Sequence, residues 1–188
     1  MIIIKNTRNI FKINYKKNLS RLIKNAFYNY GQFNIITTRS GFLALLLYCK
    51  NHTLCLYKTL VDIIIYDMPG KIYRFCIIYS LFSIMHNTRL NIYTYTNEAI
   101  WMPSITNLYK SANWQERECF DLFGIYFKNH ADLRRILTDY GFQGFPFRKD
   151  FPVMGFIEHY YDERTKLICS NNVEAAAEFR IFNTNLSW

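Results

Sequence analysis

The chain has 188 residues, 51% hydrophobic and 18% aromatic, which suffices for one domain with a sizeable core and an appended segment. Its longest apolar run, Phe42 to Cys49, is eight residues, where a membrane-spanning helix needs about 20, so no transmembrane helix is predicted. The net charge of +9 is unevenly placed: residues 1–61 carry ten Lys or Arg and no acid, and residues 62–188 carry thirteen against fourteen acids.

The opening "MIIIKNTRNIFKINYKK" has no long apolar block leading to a small-residue cleavage site, so a secretory signal is not expected; its acid-free, Arg-containing start is similar to an organelle-targeting peptide, but no cleaved presequence is expected. Lys5, Arg8, Lys12, Lys16, Lys17, Arg21 and Lys24 interleave with Phe11, Tyr15, Phe27 and Tyr28. That mixture suits RNA or an anionic lipid surface, and equally a solvated basic face. Residues 1–39 are set apart as a basic N-terminal region.

A domain is expected over residues 40–129. Ser40 is placed to cap a helix in which Phe42, Leu45, Leu46 and Cys49 fall at helical spacing, and its other sides are so apolar that it should be buried all round. Extended runs follow at Leu60–Tyr66, Ile72–Ile84 and Arg89–Thr96, separated by "MPGK" and "HNT" turns. Short turns between consecutive strands imply antiparallel pairing. The expected fold is α+β, a mostly antiparallel sheet with helices packed on it, followed by an extended C-terminal segment with short helices.

"NWQERECFDLFG" predicts a helix capped at Asn113, with Glu116 reaching back to its free N–H groups and Gly124 ending it. Cys119, Leu122 and Phe123 are its inner face, with Arg117 and Asp121 outside as an i, i+4 pair. "ADLRRILTDYG" predicts a second short helix with Leu133, Ile136, Leu137 and Tyr140 on one face, Arg135 paired to Asp139, and Gly141 as the stop. Residues 130–188 are read as an extended partner-binding segment, its closing Trp188 docked.

Chemistry is hard to find in this pattern. Cys49, Cys55, Cys76, Cys119 and Cys169 have no C-x-x-C or Cys/His pairing, so no metal site is predicted and buried free thiols are expected. Glu116 and Glu118, two apart on a helix, point to different sides and cannot share a reacting atom. Glu118 beside Cys119 disfavours a thiolate nucleophile. Between Glu116 and Asp150 six cations face six acids, whereas a phosphate-binding patch carries a cationic excess. Recognition remains: Arg in balanced charge pairs, with Tyr140, Phe142, Phe145, Phe147 and Phe151 in a Gly/Pro-punctuated chain, describes a segment that buries aromatics on a partner. The partner-facing residues are taken to be Glu116, Arg117, Glu118, Asp121, Arg134, Arg135, Asp139, Tyr140, Phe142, Arg148, Lys149, Asp150 and Phe151.

Phe, Tyr, Met, Ile, Asn and Lys make up 89 residues and Ala, Gly, Arg and Pro only 30. The first group has AT-rich codons, which points to an AT-rich genome such as an organellar one. The run "NWQERECFDLFGIYFKNHADLRRILTDYGFQGFPFRKDFPVMGF" resembles the signature of the 30-kDa subunit of respiratory complex I, the proton-pumping NADH:ubiquinone oxidoreductase. The likeness extends through "DIIIYDMPGKIYRFCIIYSLFSI", "TRLNIYTYTNEA", "YYDE" and "EFRIF", covering roughly residues 40–188. Ala131 stands where the family has proline, Gln143 where it has glutamate, Phe145 histidine and Phe147 leucine.

The resemblance implies a large hetero-oligomer in which this chain lies beside a 49-kDa-type subunit and neighbouring iron–sulfur subunits. The complex uses FMN, iron–sulfur clusters, NADH and ubiquinone, while this subunit binds no cofactor and has no catalytic site. It implies a structural role in assembling the quinone-reducing module of the hydrophilic arm. No nucleic acid is expected, and the membrane is met only indirectly, on the matrix side of the mitochondrial inner membrane. An RNA-binding organellar ribosomal protein is the alternative drawn from the basic N-terminal third.

Overall fold

A computed structural model describes residues 19–29, 31–174, 180 and 182. Residues 1–18 of the basic N-terminal region and Trp188 lie outside the described residues. Two units divide the chain, meeting between Phe142 and Gln143.

The first unit is built on five strands: β1 (Ile23–Asn29), β2 (Gln32–Thr37), β3 (Thr59–Asp67), β4 (Phe75–Ser83) and β5 (Thr88–Thr96). Their spatial order is β1-β2-β5-β4-β3. The β3–β4 and β4–β5 hairpins are antiparallel as predicted, with Asn87 at φ 46 in the second turn. Ile72 is exposed in the first turn, so β4 starts only at Phe75. The β1–β2 hairpin goes beyond the sequence reading; it turns at Gly31 (φ 79), and β2 pairs parallel to β5. The α+β class and mostly antiparallel sheet hold.

Helix α1 (Arg39–Asn51) buries Phe42, Leu45, Leu46 and Cys49, as their spacing predicts. The ring of Phe42 lies 4.5 Å from that of Tyr79 on β4. Burying each Leu or Phe contributes about 1.5–3 kcal/mol. Two expectations are corrected. The cap is Thr38, whose Oγ1 accepts the Gly41 N–H at 3.2 Å, and Ser40 sits inside the first turn. The helix is also not buried all round, since Leu43 and Leu47 are exposed.

Helix α2 (Ala112–Phe123) ends at Gly124, left-handed at φ 75, as predicted. Its start differs. Turns from Ile105 onward run directly into it, with Tyr109 N–H on Ile105 O at 2.8 Å, so the preceding Ser111 is already helical and Asn113 caps nothing. A short parallel pair, β6 (Met102–Pro103) and β7 (Phe127–Lys128), brackets this helix in sequence.

The second helix predicted over 131–141 does not form. These residues run irregularly because the Asp121 carboxylate takes the N–H groups of Ile136, Leu137 and Thr138. A side chain that binds successive N–H groups offers the backbone an alternative to helix. Leu133 packs on the core while Leu137 and Tyr140 are exposed, so no common apolar face exists.

The second unit contains a hairpin in place of the expected short helices: β8 (Ile157–Asp162) and β9 (Leu167–Asn172), antiparallel. Asp162 Oδ1 accepts the Arg164 N–H at 3.0 Å and Oδ2 the Thr165 hydroxyl at 2.8 Å, and Lys166 adopts φ 58. An Asp at the loop start that bonds its own turn is a hairpin signal legible in the sequence.

Candidate partner-binding site

Helix α2 lies along β3, an edge strand of the sheet. Ser111, Gln115 and Cys119, at i, i+4 and i+8, form one stripe over that edge. Ser111 Oγ approaches Leu60 O at 3.5 Å, Gln115 Nε2 donates to Val61 O at 2.9 Å, and Cys119 Sγ lies 3.7 Å from Ile63 O. Side chains thus occupy carbonyls that an unprotected edge would offer to another strand. Burial pushes the Cys119 thiol well above its ordinary value, and Glu118, Glu116 and Asp62 add to that push.

One turn along, Glu116 points inward and is fully buried. It does not reach back to its own helix start. Its Oε1 accepts the Ile105 N–H at 2.7 Å and its Oε2 the Ser104 hydroxyl at 2.7 Å. Burial raises its pKa to about 7, against the lowering effect of these two hydrogen bonds. The His130 Nε2 stands 3.9 Å from Oε2 and 3.2 Å from Asn113 O.

Arg117 and Asp121 are buried as well, contrary to the outside position predicted for them. Arg117 Nε donates to Arg134 O at 3.2 Å, and its guanidinium covers Trp114 at 5.2 Å. Asp121 accepts from Leu137 N at 2.7 Å, Thr138 N at 2.9 Å, Ile136 N at 3.1 Å, Thr138 Oγ1 at 2.6 Å and Arg135 Nη1 at 3.2 Å. Burial works to raise its pKa, but the Thr138 hydroxyl and the three N–H groups outweigh it and hold the carboxyl below the usual aspartate value. The carboxylates of Glu116 and Asp121 and the Arg117 Nε therefore bond inside this chain, fastening residues 104–105 and 134–138 to α2.

The other predicted interface residues lie further out. Glu118, Arg134, Asp139 and Tyr140 are exposed. Arg134 pairs with Asp132 at 2.9 Å, and Asp139 Oδ1 accepts the Tyr140 N–H at 2.7 Å. Arg135 is half-buried and lies over Phe142 at 5.9 Å. In the second unit Arg148 stacks on Phe145 at 4.3 Å, Lys149 and Asp150 are exposed, and Phe151 meets Phe156 edge-on at 5.2 Å. Gly144 at φ +109 leaves room for the Phe151 ring, which a Cβ there would approach to 2.7 Å. Ser104, His130 and Thr138, each half-buried, complete the network. Nothing in their spacing from Glu116 and Asp121 marks them in the sequence.

Among the described residues no three of His, Cys, Asp and Glu come together as a metal ion needs, and no helix is long and apolar enough to cross a membrane. Cys49, Cys55, Cys76 and Cys119 are buried free thiols, with Cys169 half-buried.

Residues 35–156 match the family described as "Respiratory-chain NADH dehydrogenase, 30 Kd subunit". The NADH-ubiquinone oxidoreductase subunit 9 of Reclinomonas americana is 43% identical over 178 residues, covering 95% of this chain and 87% of that protein. The protein of the same name from Acanthamoeba castellanii is 45% identical over 174 residues, covering 93% and 88%. Among solved structures, the trypsin-resistant fragment (1-134) of Nqo5 aligns with a TM-score of 0.55 at 25% identity, over 66% of this chain and 98% of that one. A chain of the membrane-bound sulfane sulfur reductase, an archaeal respiratory membrane complex, shares the fold with a TM-score of 0.66 at 20% identity, over 80% and 87%.

Proposed function

Because this chain belongs to the family of the 30 Kd subunit of respiratory-chain NADH dehydrogenase, we propose that it is a structural subunit of an NADH:ubiquinone oxidoreductase that holds the quinone-reducing module together. In this reading the complex's FMN and iron–sulfur clusters, with NADH and ubiquinone, belong to other subunits. A 49-kDa-type subunit and iron–sulfur subunits are its neighbours. It works as a peripheral subunit on the matrix side of the mitochondrial inner membrane, consistent with its likeness to the mitochondrial NADH dehydrogenase (ubiquinone) iron-sulfur protein 3 of Candida albicans, 45% identical over 83% of this chain and 56% of that protein. The ribosomal alternative rested on the basic, aromatic N-terminal third, and the family match favours the oxidoreductase reading over it.

The observation that carries this reading is the lack of a core in the second unit: no described residue from 143 to 174 is fully buried. Its hairpin nevertheless pairs Tyr161, 57% exposed, with Ile168, 76% exposed. A two-stranded hairpin is marginal in water unless an apolar face is covered, and apolar surface of this kind marks contact with another protein. The buried carboxylates of the first unit support a structural role too, since their acceptor atoms are taken up by this chain's own donors.

The test is Ile168→Ser in the native organism. The amount of assembled complex on native gels should fall, while NADH:quinone turnover per assembled complex stays near wild type. Normal assembly with a large loss of turnover per complex would overturn the structural reading.

A further inference from the structure

We propose that the outward face of α1, with Trp101 and Lys128, is a second docking surface that receives an acidic segment of a neighbouring protein chain. This rests on reading the chain as a subunit of a larger assembly.

Arg39, Leu43 and Leu47 stand at i, i+4 and i+8, a stripe of α1 that flanks the face carrying the buried Phe42, Leu45, Leu46 and Cys49. Leu43 is 39% and Leu47 49% exposed. At the amino end of this stripe, Arg39 Nη1 donates to Trp101 O at 3.2 Å, and the guanidinium carbon sits 4.5 Å from the centre of the Trp101 ring. The Lys128 ammonium lies 4.5 Å from the same centre. The β6–β7 register, Met102 opposite Phe127 and Pro103 opposite Lys128, brings Lys128 beside Trp101. Trp101 is itself 38% exposed.

The two cations are therefore no further apart than twice that distance, close to one Debye length at physiological salt, so their repulsion is only partly screened. Among the described residues the ion pairs of Arg74, Arg134, Arg135 and His130 include neither Arg39 nor Lys128 as a member. The first turn of α1 carries no acid, so the positive end of the helix dipole adds to the same potential. Cation–π contact with Trp101 holds both charges in place without neutralising them. An anion arriving here relieves the repulsion, and the Arg39 fork has donors left for a carboxylate.

Trp and Arg are enriched at the centres of protein–protein contacts, and the exposed leucines add apolar area beside them. A membrane surface fits less well. Two basic residues contribute roughly 2 kcal/mol at an anionic bilayer, too little for retention, whereas a carboxylate next to apolar groups uses the charges and the leucines together.

The experiment uses the purified oxidoreductase and the same chain dissociated from it. Amine acylation should modify Lys128 in the dissociated chain and lose that site in the complex, and a zero-length carbodiimide should join Lys128 to an Asp or Glu of another subunit. Arg39→Glu, with Leu47→Ser as a second variant that leaves the Trp101 clamp untouched, should lower the chain's share in the complex. Undiminished acylation of Lys128 in the intact complex overturns the proposal, and so does protection without any protein cross-link, the outcome a lipid phosphate would give. If the chain does not co-purify with oxidoreductase subunits at all, the assembly reading fails and this one with it.

Discussion

Asp121 on α2 accepts the backbone N–H of Leu137, sixteen residues further on, at 2.7 Å, and the same carboxylate oxygen takes the N–H groups of Ile136 and Thr138. One short side chain thereby replaces the carbonyl partners that a helix would have supplied. The cost of losing it is the cost of stranding those donors together with Arg135.

Asp121→Ala should therefore destabilise the chain by about 3–5 kcal/mol, the range for removing one member of a buried charged pair. The pH dependence follows from its lowered pKa. As pH falls, the unfolded chain takes up the proton first, near the ordinary aspartate value of about 3.9. The contribution of Asp121 is thus full above that value and lost as pH drops through the lower folded value. Urea unfolding of wild type and variant from neutral pH into the acid range should show the gap between them closing only at the acid end.

Glu116 should behave in the opposite way. Its folded pKa is raised to about 7 from 4.5, so on raising the pH the unfolded chain releases its proton first. Stability drawn from Glu116 is full below 4.5, declines up to about 7 and is flat beyond, with a limiting slope of about 1.4 kcal/mol per pH unit. Tyr79 and Cys119 interact with this carboxyl, and burial pushes both of them up, away from this window. Glu116→Gln keeps an acceptor for Ile105 N–H and should remove this decline, so that the variant gains on wild type as pH rises from 5 to about 7. A difference between the two that is constant across that window contradicts the assignment.

Much of the fold is legible because apolar periodicity speaks directly of packing. Phe42, Leu45, Leu46 and Cys49 name the inner face of α1, and the β4–β5 hairpin can be read from its turn. Where the reading fails, a long-range polar contact has overruled a local pattern. "ADLRRILTDYG" has helical spacing, but Asp121, outside the segment, claims its N–H groups. Arg117 and Asp121 look like a solvent-facing pair because sequence shows their spacing and not that residues 130–138 cover them. Composition assigns Leu43 and Leu47 to the core, although nothing in the described chain packs over that side of α1 enough to bury them.

The cysteines give a third test. Cys49, Cys55, Cys76 and Cys119 are buried and their thiols are pushed up, chiefly by burial. The thiolate is the reactive form, so at neutral pH a thiol reagent should label Cys169 in the native chain and all five only after denaturation. Elemental analysis of the purified chain should find no stoichiometric iron or zinc. Rapid native labelling of Cys119 would show that α2 lifts readily from the β3 edge.

Gly144 sets the position of the Phe151 ring. An added Cβ meets that ring at 2.7 Å on a backbone at φ +109 that L side chains rarely adopt, and such strain costs about 1–3 kcal/mol. Gly144→Ala should speed amide exchange locally over residues 144–156 and leave exchange in β3, β4 and β5 unchanged.

Arg148 carries the last prediction. Its guanidinium lies 4.3 Å over Phe145, and the neighbouring Phe151 packs on Phe156, so the charge stands half-buried among aromatics. In a complex that covers these aromatics the charge becomes partly dehydrated and needs a carboxylate beside it. Removing one member of a buried pair costs about 3–5 kcal/mol, against about 1 kcal/mol or less for an exposed one, so the size of the effect reports the burial. Arg148→Leu should lower the abundance of assembled complex severalfold and leave NADH:quinone activity per complex unchanged. Arg148→Lys should recover it in part, because an ammonium keeps the charge and loses the flat stack and forked donors. An unchanged abundance for Arg148→Leu would place this side chain in solvent in the assembled complex and confine the contact to the apolar residues around it.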